Sequence, residues 1–469
     1  FTLTITGTQS ESVVLTEVYF GDVWLLTGQS NMFMSVAAEN QNFPDYYPEI
    51  PNSSDNFDDI RFAIIGINEN LDAPVNEPVI STPWNRWEAS KLGNMSAVGY
   101  FFFCSLKASL QENDMGNIPL GFIKVCKGAT AIEQWISEDA LNGMEENLIP
   151  RVNRPATSCY NGMIAPIQDY PIKGVLWYQG EANTDKVSRI KQYPLLFETL
   201  VQSWREQWNN PDIPFYYVQL APWKKHTSFP IEGAEAWALM RKSQTECRSV
   251  SNTEMACIIE SGFQSNIHPP FKDRVGERLQ RIAISQSYGI PVVFRGPEII
   301  DAQIKGDEVV LTFDHVAGGL ETRDVDAQPD EEEIADGNPP VSVTSDELAG
   351  FALSNDGITF YKAENAKIIA PDKVRISNSS DVPEPVAIQY AYQNFPRCNL
   401  FNSEGLPAEP FRKVMREVDI PELTKSELPE LFEDSSDVPD WGNANQTAPK
   451  PVIVANPQKN GINPSDSVL

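Results

Sequence analysis

The sequence Gly21-Asp-Val-Trp-Leu-Leu-Thr-Gly-Gln-Ser-Asn-Met-Phe-Met34 decides the fold of the chain. Its apolar run from Val23 to Leu26 is typical of a buried strand, and it ends abruptly in Thr-Gly-Gln-Ser-Asn. In an open parallel sheet, ligands bind at the carboxyl ends of the strands. Ser30, held in a tight turn at that edge, is therefore a candidate nucleophile. The alternative interpretation is that Ser30 caps the following helix, as serine often does.

Composition limits the partners of this chain. Its 469 residues carry a net charge of −29, which argues against nucleic acid because the phosphates would be repelled. The acidic segments Glu321–Asp336 and Glu417–Asp440 are typical of a solvated loop and tail. No apolar run reaches the ~20 residues that span a bilayer, so we expect no membrane span. An acidic substrate would need locally placed cations.

Cysteines and glycosylation sequons bear on the compartment. Six cysteines are few for this length and exclude a small disulfide scaffold. Sequons for N-glycosylation begin at Asn52, Asn94, Asn378 and Asn445. Together they favour a secreted or lysosomal glycoprotein in which some cysteines are paired.

Strand and helix patterns alternate between residues 20 and 291, which predicts an α/β domain with a parallel sheet covered by helices on both faces. The predicted strands after the Ser30 turn are Ile60–Ile65, Pro119–Val125, Ile172–Tyr178, Pro214–Leu220 and Glu254–Ile259. The predicted helices are Ser96–Leu110, Ile132–Leu141, Asp185–Trp208, Ala234–Cys247 and Pro270–Ser287. We interpret Glu39–Asp59 and Trp84–Met95 as loops.

Three further regions complete the predicted organisation. Residues 1–19 contain a strand-like alternation at period two, and residues 292–417 contain short strands separated by turns. We therefore expect an all-β C-terminal appendage. Residues 418–469 are acidic and rich in Pro, Ser and Asn, which predicts an extended or disordered tail.

Four strand ends of the α/β part carry residues suited to acyl transfer: Ser30, Gly128, Gln179 and the turn Glu260–His268. Serine chemistry needs a base and donors for the oxyanion, and a glycine-turn N–H or a side-chain amide supplies such donors. Of three histidines, His268 follows the last strand and precedes a helix, so we predict that it is the base. Glu260 is a candidate for the carboxylate that orients it; the alternative is a plain strand-end charge.

Several blocks of the chain resemble the sialate O-acetylesterase family within the SGNH hydrolases. The matching blocks are Phe20-Gly-Asp-Val-Trp24, Gly28-Gln-Ser-Asn-Met32, Gly128-Ala-Thr-Ala-Ile-Glu-Gln-Trp135, Asn161-Gly-Met-Ile-Ala-Pro166, Gly174-Val-Leu-Trp-Tyr-Gln-Gly-Glu-Ala-Asn183, Ile267-His-Pro269 and Cys398-Asn-Leu-Phe-Asn-Ser-Glu-Gly-Leu-Pro407. The likeness covers about residues 1 to 414, and the Gly-Gln-Ser-Asn-Met and Trp-Tyr-Gln-Gly-Glu blocks together are quite specific.

The resemblance implies a flavodoxin-like core, with Ser30 as nucleophile and His268 as base. It implies an oxyanion hole formed by the Ser30 N–H, Gly128 and Gln179, and no metal or organic cofactor. Asn31, Glu181 and Lys127 would contact the substrate, an O-acetylated sialic acid or sialoglycan, although Lys127 fits a solvated lysine as well.

The resemblance also implies a β-domain ahead of the Ser30 block. Residues 1–19 would be its last strand, and a cleaved N-terminal fragment would be a binding partner.

Two positions depart from the family pattern. Asn266 stands where many members place an aspartate two residues before the histidine, and Ala129 stands where a second glycine is usual. An asparagine can orient a ring by hydrogen bonding but does not stabilise an imidazolium as a charge does. Two alternatives therefore stay open: an esterase for other O-acetylated sugars, and a non-catalytic acidic glycoprotein that retains the fold.

Overall fold

The structure is a computed structural model that describes residues 1–7, 12–44, 46–47, 50, 57–70, 72–149, 155–224, 226–264, 266–325 and 343–416. The predicted tail at 418–469, most of the acidic segment at 321–336 and the sequons at Asn52 and Asn445 lie outside these residues.

Twenty strands and seven α-helices are assigned in this part of the chain. The first ten strands are β1 (Leu3–Thr6), β2 (Ser12–Leu15), β3 (Asp22–Gly28), β4 (Phe57–Ile65), β5 (Ile80–Trp87), β6 (Leu120–Cys126), β7 (Gly174–Tyr178), β8 (Phe215–Val218), β9 (Ile231–Glu232) and β10 (Thr253–Ala256). The others are β11 (Glu298–Lys305), β12 (Glu308–Asp314), β13 (Leu320–Thr322), β14 (Phe351–Ser354), β15 (Thr359–Lys362), β16 (Glu364–Ala370), β17 (Lys373–Ser377), β18 (Ala387–Tyr390), β19 (Leu400–Asn402) and β20 (Phe411–Val414). The helices are α1 (Ser30–Phe33), α2 (Val36–Asn42), α3 (Ala97–Glu112), α4 (Glu138–Asn142), α5 (Val187–Gln207), α6 (Ala236–Glu246) and α7 (Lys272–Tyr288).

A seven-stranded sheet in the order β10-β8-β7-β3-β6-β4-β5 forms the centre of the molecule. All neighbours are parallel except β5, which runs antiparallel to β4 at the edge. The end of β3 is in register with both neighbours, since Gly28 lies opposite Cys126 of β6 and Tyr178 of β7. Three strands therefore end together beside the Ser30 turn.

Helices cover both faces of this sheet. Trp24 of β3 packs against Phe102 of α3, and its indole donates a hydrogen bond to Tyr288 of α7. Trp177 of β7 lies opposite Thr27, an odd number of positions from Trp24, so it points to the other face. There it packs against Trp204 of α5. This arrangement confirms the predicted α/β fold class.

The C-terminal strands form separate antiparallel sheets, as predicted. One has the order β11-β12-β17-β16, a second pairs β13 with β19, and a third has the order β20-β18-β14-β15-β9. The third sheet takes its edge strand β9 from the segment between β8 and α6. A backbone ladder thus joins the α/β part to the β-rich part.

Some predicted elements differ from the structure. The interpretation of Trp84–Met95 as a loop is wrong, because it contains the end of β5 and a 3₁₀ turn at Ala89–Asn94. An edge strand tolerates a proline and polar residues, and that composition led to the loop interpretation. The predicted loop Glu39–Asp59 begins inside α2, whose first turn is capped by Ser35. The described part of residues 1–19 contains two antiparallel strands, β1 and β2, rather than one strand.

Two further expectations, on membrane spans and on cysteine pairing, can be compared with the structure. Among the described residues, no helix is both long and apolar enough to cross a lipid bilayer. All six cysteines lie in the described part of the chain, and none forms a disulfide there, so the expected pairing is not seen.

Candidate active site

The turn after β3 is built by a close approach of two strands. Gly28 has φ of +131°, and a Cβ on it would lie 2.2 Å from the carbonyl oxygen of Tyr178. The next amide, that of Gln29, donates a hydrogen bond to that same oxygen at 2.9 Å. Only glycine fits both the backbone conformation and the space. The chain then begins α1 at Ser30, whose side chain is 6% exposed.

Gln179 links the strand ends from inside the protein. Its amide nitrogen lies 3.1 Å from Gln29 Oε1, 3.0 Å from the Thr130 carbonyl and 2.8 Å from Asn183 Oδ1. Its side-chain oxygen accepts a hydrogen bond from Tyr193. Three acceptors thus share the two amide hydrogens of Gln179 in this structure. Gln179 links the strand ends of the site, and its place in the oxyanion hole stays a prediction.

The turn after β6 brings Gly128 to the same edge. The Lys127 amide donates to the carbonyl of Gly28 at 3.1 Å, which ties the two strand ends together. Ala129 follows with φ of +61°, a left-handed conformation that is strained for alanine. In the described chain, the backbone N–H groups of Ser30 and Gly128 donate to no protein acceptor. Both can therefore serve as oxyanion donors, and their role stays a prediction.

His268 lies on the loop between β10 and α7, and contacts on both sides of it reach the nucleophile turn. The side-chain amide of Asn31, the residue after Ser30, donates to the carbonyl of Ile267 at 3.1 Å. The Lys272 ammonium donates to Asn31 Oδ1 and to the carbonyl of Pro269, both at 2.7 Å. The structure thus brings together the predicted nucleophile turn and the predicted base loop.

The structure shows which groups the two predicted orienting residues, Glu260 and Asn266, contact. Glu260 is held by Arg278, whose Nη1 lies 3.1 Å from Glu260 Oε2, and Arg274 lies 3.9 Å from the same carboxylate. Asn266 accepts a hydrogen bond from the backbone N–H of His268 at 2.8 Å. Arg278 thus holds the Glu260 carboxylate, and Asn266 supports the backbone of the His268 loop. That either residue orients the imidazole stays a prediction.

The environment of His268 favours a neutral ring. Burial, with a smaller contribution from the Lys272 charge, lowers the pKa of His268 from 6.5 to about 3. A neutral imidazole can accept a proton, so this ring is available as a base at any pH well above 3. His226 and His315 lie elsewhere: His226 Nδ1 is 2.9 Å from the Phe395 carbonyl, and His315 neighbours Arg295 of the β-rich part.

The three residues predicted to contact the substrate each contact another residue of the protein. Asn31 also donates to Glu181 at 2.7 Å, and both residues are buried. Lys127 pairs with Glu69 at 3.3 Å, so its charge is already compensated. That Asn31, Glu181 and Lys127 contact the substrate stays a prediction.

Sequence reasoning missed Lys272 and Glu39, which form a buried ion pair at 3.8 Å beneath the turn. The one available signal was the position of Lys272, four residues after His268 at the start of a helix. Within the described ranges, no group of three or more His, Cys, Asp or Glu side chains is arranged to hold a metal ion. The expectation that no cofactor is needed stays a prediction.

A solved structure and curated sequences are similar to this chain. A carbohydrate acetylesterase from Xanthomonas citri superposes with a TM-score of 0.72 and 29% sequence identity, covering 88% of this chain and 85% of that chain. Sialate O-acetylesterase from Mus musculus is 27% identical over 350 residues, 62% of this chain and 61% of the mouse protein. The Homo sapiens protein of that name is 26% identical over 431 residues, 84% of this chain and 75% of the human protein. The match thus spans less than two thirds of the mouse relative's length.

The fold is that of a carbohydrate esterase. The family model described as carbohydrate esterase, sialic acid-specific acetylesterase, matches residues 20–271, which is more than half of the chain. The chain therefore belongs to the sialic acid-specific acetylesterase family, as the sequence blocks predicted.

Proposed function

We propose that this protein is a serine carbohydrate O-acetylesterase that removes O-acetyl groups from sialic acids. The observation that carries the proposal is the pair of contacts from Asn31 and Lys272 to the backbone on either side of His268. They tie the serine of the nucleophile turn to the histidine on the loop after β10. The family match and the named relatives support the acetyl group and the sugar class.

The reaction begins with attack of Ser30 Oγ on the acetyl carbonyl carbon, while His268 takes the hydroxyl proton. The amides of Ser30 and Gly128 stabilise the oxyanion of the tetrahedral intermediate. The C–O bond to the sugar then breaks, and the sugar oxygen leaves with the proton from His268. Water attacks the acetyl-serine, gives a proton to His268 and releases acetate, and that proton returns to Ser30.

The test compares acetate release by wild type, Ser30→Ala and His268→Ala from 4-nitrophenyl acetate and from O-acetylated N-acetylneuraminic acids. We expect kcat to fall at least ~10³-fold in both variants, as for removal of a nucleophile or its base. Ser243→Ala is the matched control, because Ser243 is also 6% exposed but donates to the Ile190 carbonyl on a helix. Equal rates in wild type and Ser30→Ala would disprove the serine mechanism and favour the non-catalytic alternative.

A wider sugar range is a second candidate, favoured by the Xanthomonas citri relative, which is described only as a carbohydrate acetylesterase. Measuring kcat/KM on O-acetylated sialic acids and on acetylated neutral sugars separates the two. A preference for neutral sugars would replace sialic acid as the proposed substrate.

We also propose that the protein is secreted or lysosomal. The support is limited to the sequons: the Asn94 side chain is exposed, whereas the Asn378 amide donates to the Pro383 carbonyl at 2.9 Å. Glycosidase treatment of protein made in a eukaryotic cell, read by mass, tests which sites are modified. A mass unchanged by glycosidase would argue against this location. A cleaved N-terminal fragment as partner stays a prediction.

A further inference from the structure

We propose that Lys272 is a positioning residue of the esterase site, whose buried ammonium fixes the nucleophile turn against the loop that carries His268. The inference rests on the proposed function, because it gives Lys272 a role in that reaction. Lys272 touches neither reacting residue directly in this role; it acts through the neighbours of both.

The contacts of the Lys272 ammonium span the two halves of the site. One hydrogen bond goes to Asn31 Oδ1, next to Ser30, and one goes to the carbonyl of Pro269, next to His268. The remaining side of the ammonium faces Glu39 of α2 at 3.8 Å. The buried ammonium thus bridges the two backbone segments that hold the reacting side chains, beside the direct bond from Asn31 to Ile267.

Two carboxylates and other titratable groups lie around Lys272. Glu39 comes from α2, and Glu181 comes from the turn after β7, where it accepts a hydrogen bond from Asn31. The Tyr47 hydroxyl accepts the Lys272 backbone N–H at 3.0 Å and also contacts Asp273. His268 itself faces the ammonium from its own loop.

The ion pair is poorly suited to a purely stabilising role. Both carboxylate oxygens of Glu39 are buried and have no hydrogen-bond partner among the described residues, and the separation from Lys272 exceeds hydrogen-bonding reach. The desolvation cost of such a buried ion pair often exceeds its Coulombic gain, so apolar residues of similar volume would often stabilise the fold as well or better. By contrast, the hydrogen bonds of Lys272 to Asn31 and to the Pro269 carbonyl are both 2.7 Å long. Both bonds go to the segments that carry Ser30 and His268.

The charge of Lys272 also provides a second readout beside kcat. It lowers the pKa of the His268 ring, in addition to the larger effect of burial. Removing the charge while Glu39 and Glu181 remain raises that pKa. The acid limb of the kcat/KM profile, which reports the free enzyme's base, then moves to higher pH.

The experiment measures kcat, KM and the pH profile for 4-nitrophenyl acetate with wild type, Lys272→Met, Lys272→Arg and Lys107→Met. For Lys272→Met we expect kcat to fall ~10- to 100-fold while KM stays within about threefold of wild type. We also expect the acid limb of its kcat/KM profile to move to higher pH. Lys272→Arg keeps the charge, so the limb stays low. Lys107 is the matched control, a buried lysine that pairs with Asp59 and donates to the Gly116 carbonyl. We expect Lys107→Met to leave kcat and the acid limb unchanged.

Wild-type kcat and an unmoved acid limb in Lys272→Met would overturn the inference. If Lys272→Met does not fold, Asn31→Leu replaces it. This variant keeps the Lys272 charge, so we expect kcat to fall while the acid limb of the kcat/KM profile stays in place. An unchanged kcat would overturn the inference. The two proposals fail differently. An active Ser30→Ala refutes the serine mechanism, whereas an inactive Ser30→Ala beside a normal Lys272→Met refutes only the role of Lys272.

Discussion

Helix α7 carries two buried cations, Arg278 and Lys272, which differ in how closely they pair with a carboxylate. Arg278 meets Glu260 with both ends of its guanidinium and also donates to the Cys257 carbonyl at 2.7 Å. Lys272, at the start of the same helix, stands 3.8 Å from Glu39 and makes its hydrogen bonds to Asn31 and Pro269. The first pair satisfies its charges, whereas the second leaves a carboxylate without hydrogen bonds.

The two carboxylates show what this difference means. Burial alone would raise the pKa of Glu260, but the charge and hydrogen bonds of Arg278 outweigh it and hold the pKa below 4.5. At Glu39, burial dominates over Lys272 and raises the pKa to about 7. The hydrogen-bonded pair Arg278–Glu260 joins α7 to the loop after β10. The pair Lys272–Glu39, whose carboxylate has a raised pKa, lies beside the candidate active site, where shifted pKa values are common.

The largest expected effect comes from breaking the satisfied pair. Arg278→Met leaves the buried Glu260 carboxylate without its main counter-charge, which costs about 3–5 kcal/mol of unfolding free energy. Lys272→Met should cost less, because Glu39 can take up a proton near neutral pH. Urea unfolding of both variants at pH 7 checks the order. Equal losses would remove the distinction between the two pairs.

An intermediate effect is expected in the pH dependence of stability. Because the folded-state pKa of Glu39 lies above 4.5, the unfolded chain ionises first as pH rises, and stability falls between about pH 4.5 and pH 7. Relative to Glu39→Gln, wild type should lose about 3 kcal/mol across that window.

Glu260 should behave with the opposite sign, since its folded-state pKa is lowered. Relative to Glu260→Gln, wild type should gain stability as pH rises through the acid range and lose it as pH falls. Parallel slopes for the two variants, measured by urea unfolding at several pH values, would contradict the comparison.

The smallest effect is expected at Arg274, which lies 3.9 Å from Glu260 and has a side chain that is 38% exposed. Arg274→Met should cost less than about 1 kcal/mol, because a solvated ion pair at this distance contributes little. A loss as large as that of Arg278→Met would mean that Glu260 depends on both arginines.

Much of the fold could be predicted from local patterns. The apolar run before Ser30 and the strands predicted before Gly128 and Gln179 end within two residues of the ends of β3, β6 and β7, because buried parallel strands have a simple composition. The edge strand β5 was missed, since its half-exposed pattern and Pro83 resemble a loop. The pairing of β9 with β15 joins segments far apart in sequence and has no local signature.

The candidate site was predictable in its residue types but not in their contacts. Ser30 and His268 stand out because few residue types at strand ends can act as a nucleophile or as its base. The roles of Gln179, Glu260 and Asn266 depend on which atoms each side chain meets, and strand-end position does not determine that. Lys272 and Glu39 meet only in the folded chain, so the spacing of Lys272 from His268 marks the lysine but does not indicate its partner.

The position of β9 has a practical consequence for producing the protein in pieces. A polypeptide starting at residue 292 would lack β9, so the backbone of β15 would face solvent along that side. An open strand of this kind can pair with other chains, and we expect such a fragment to aggregate where the intact chain does not. Expression of the β-rich part therefore calls for residues 231–232 to be supplied, either in the same chain or as an added strand.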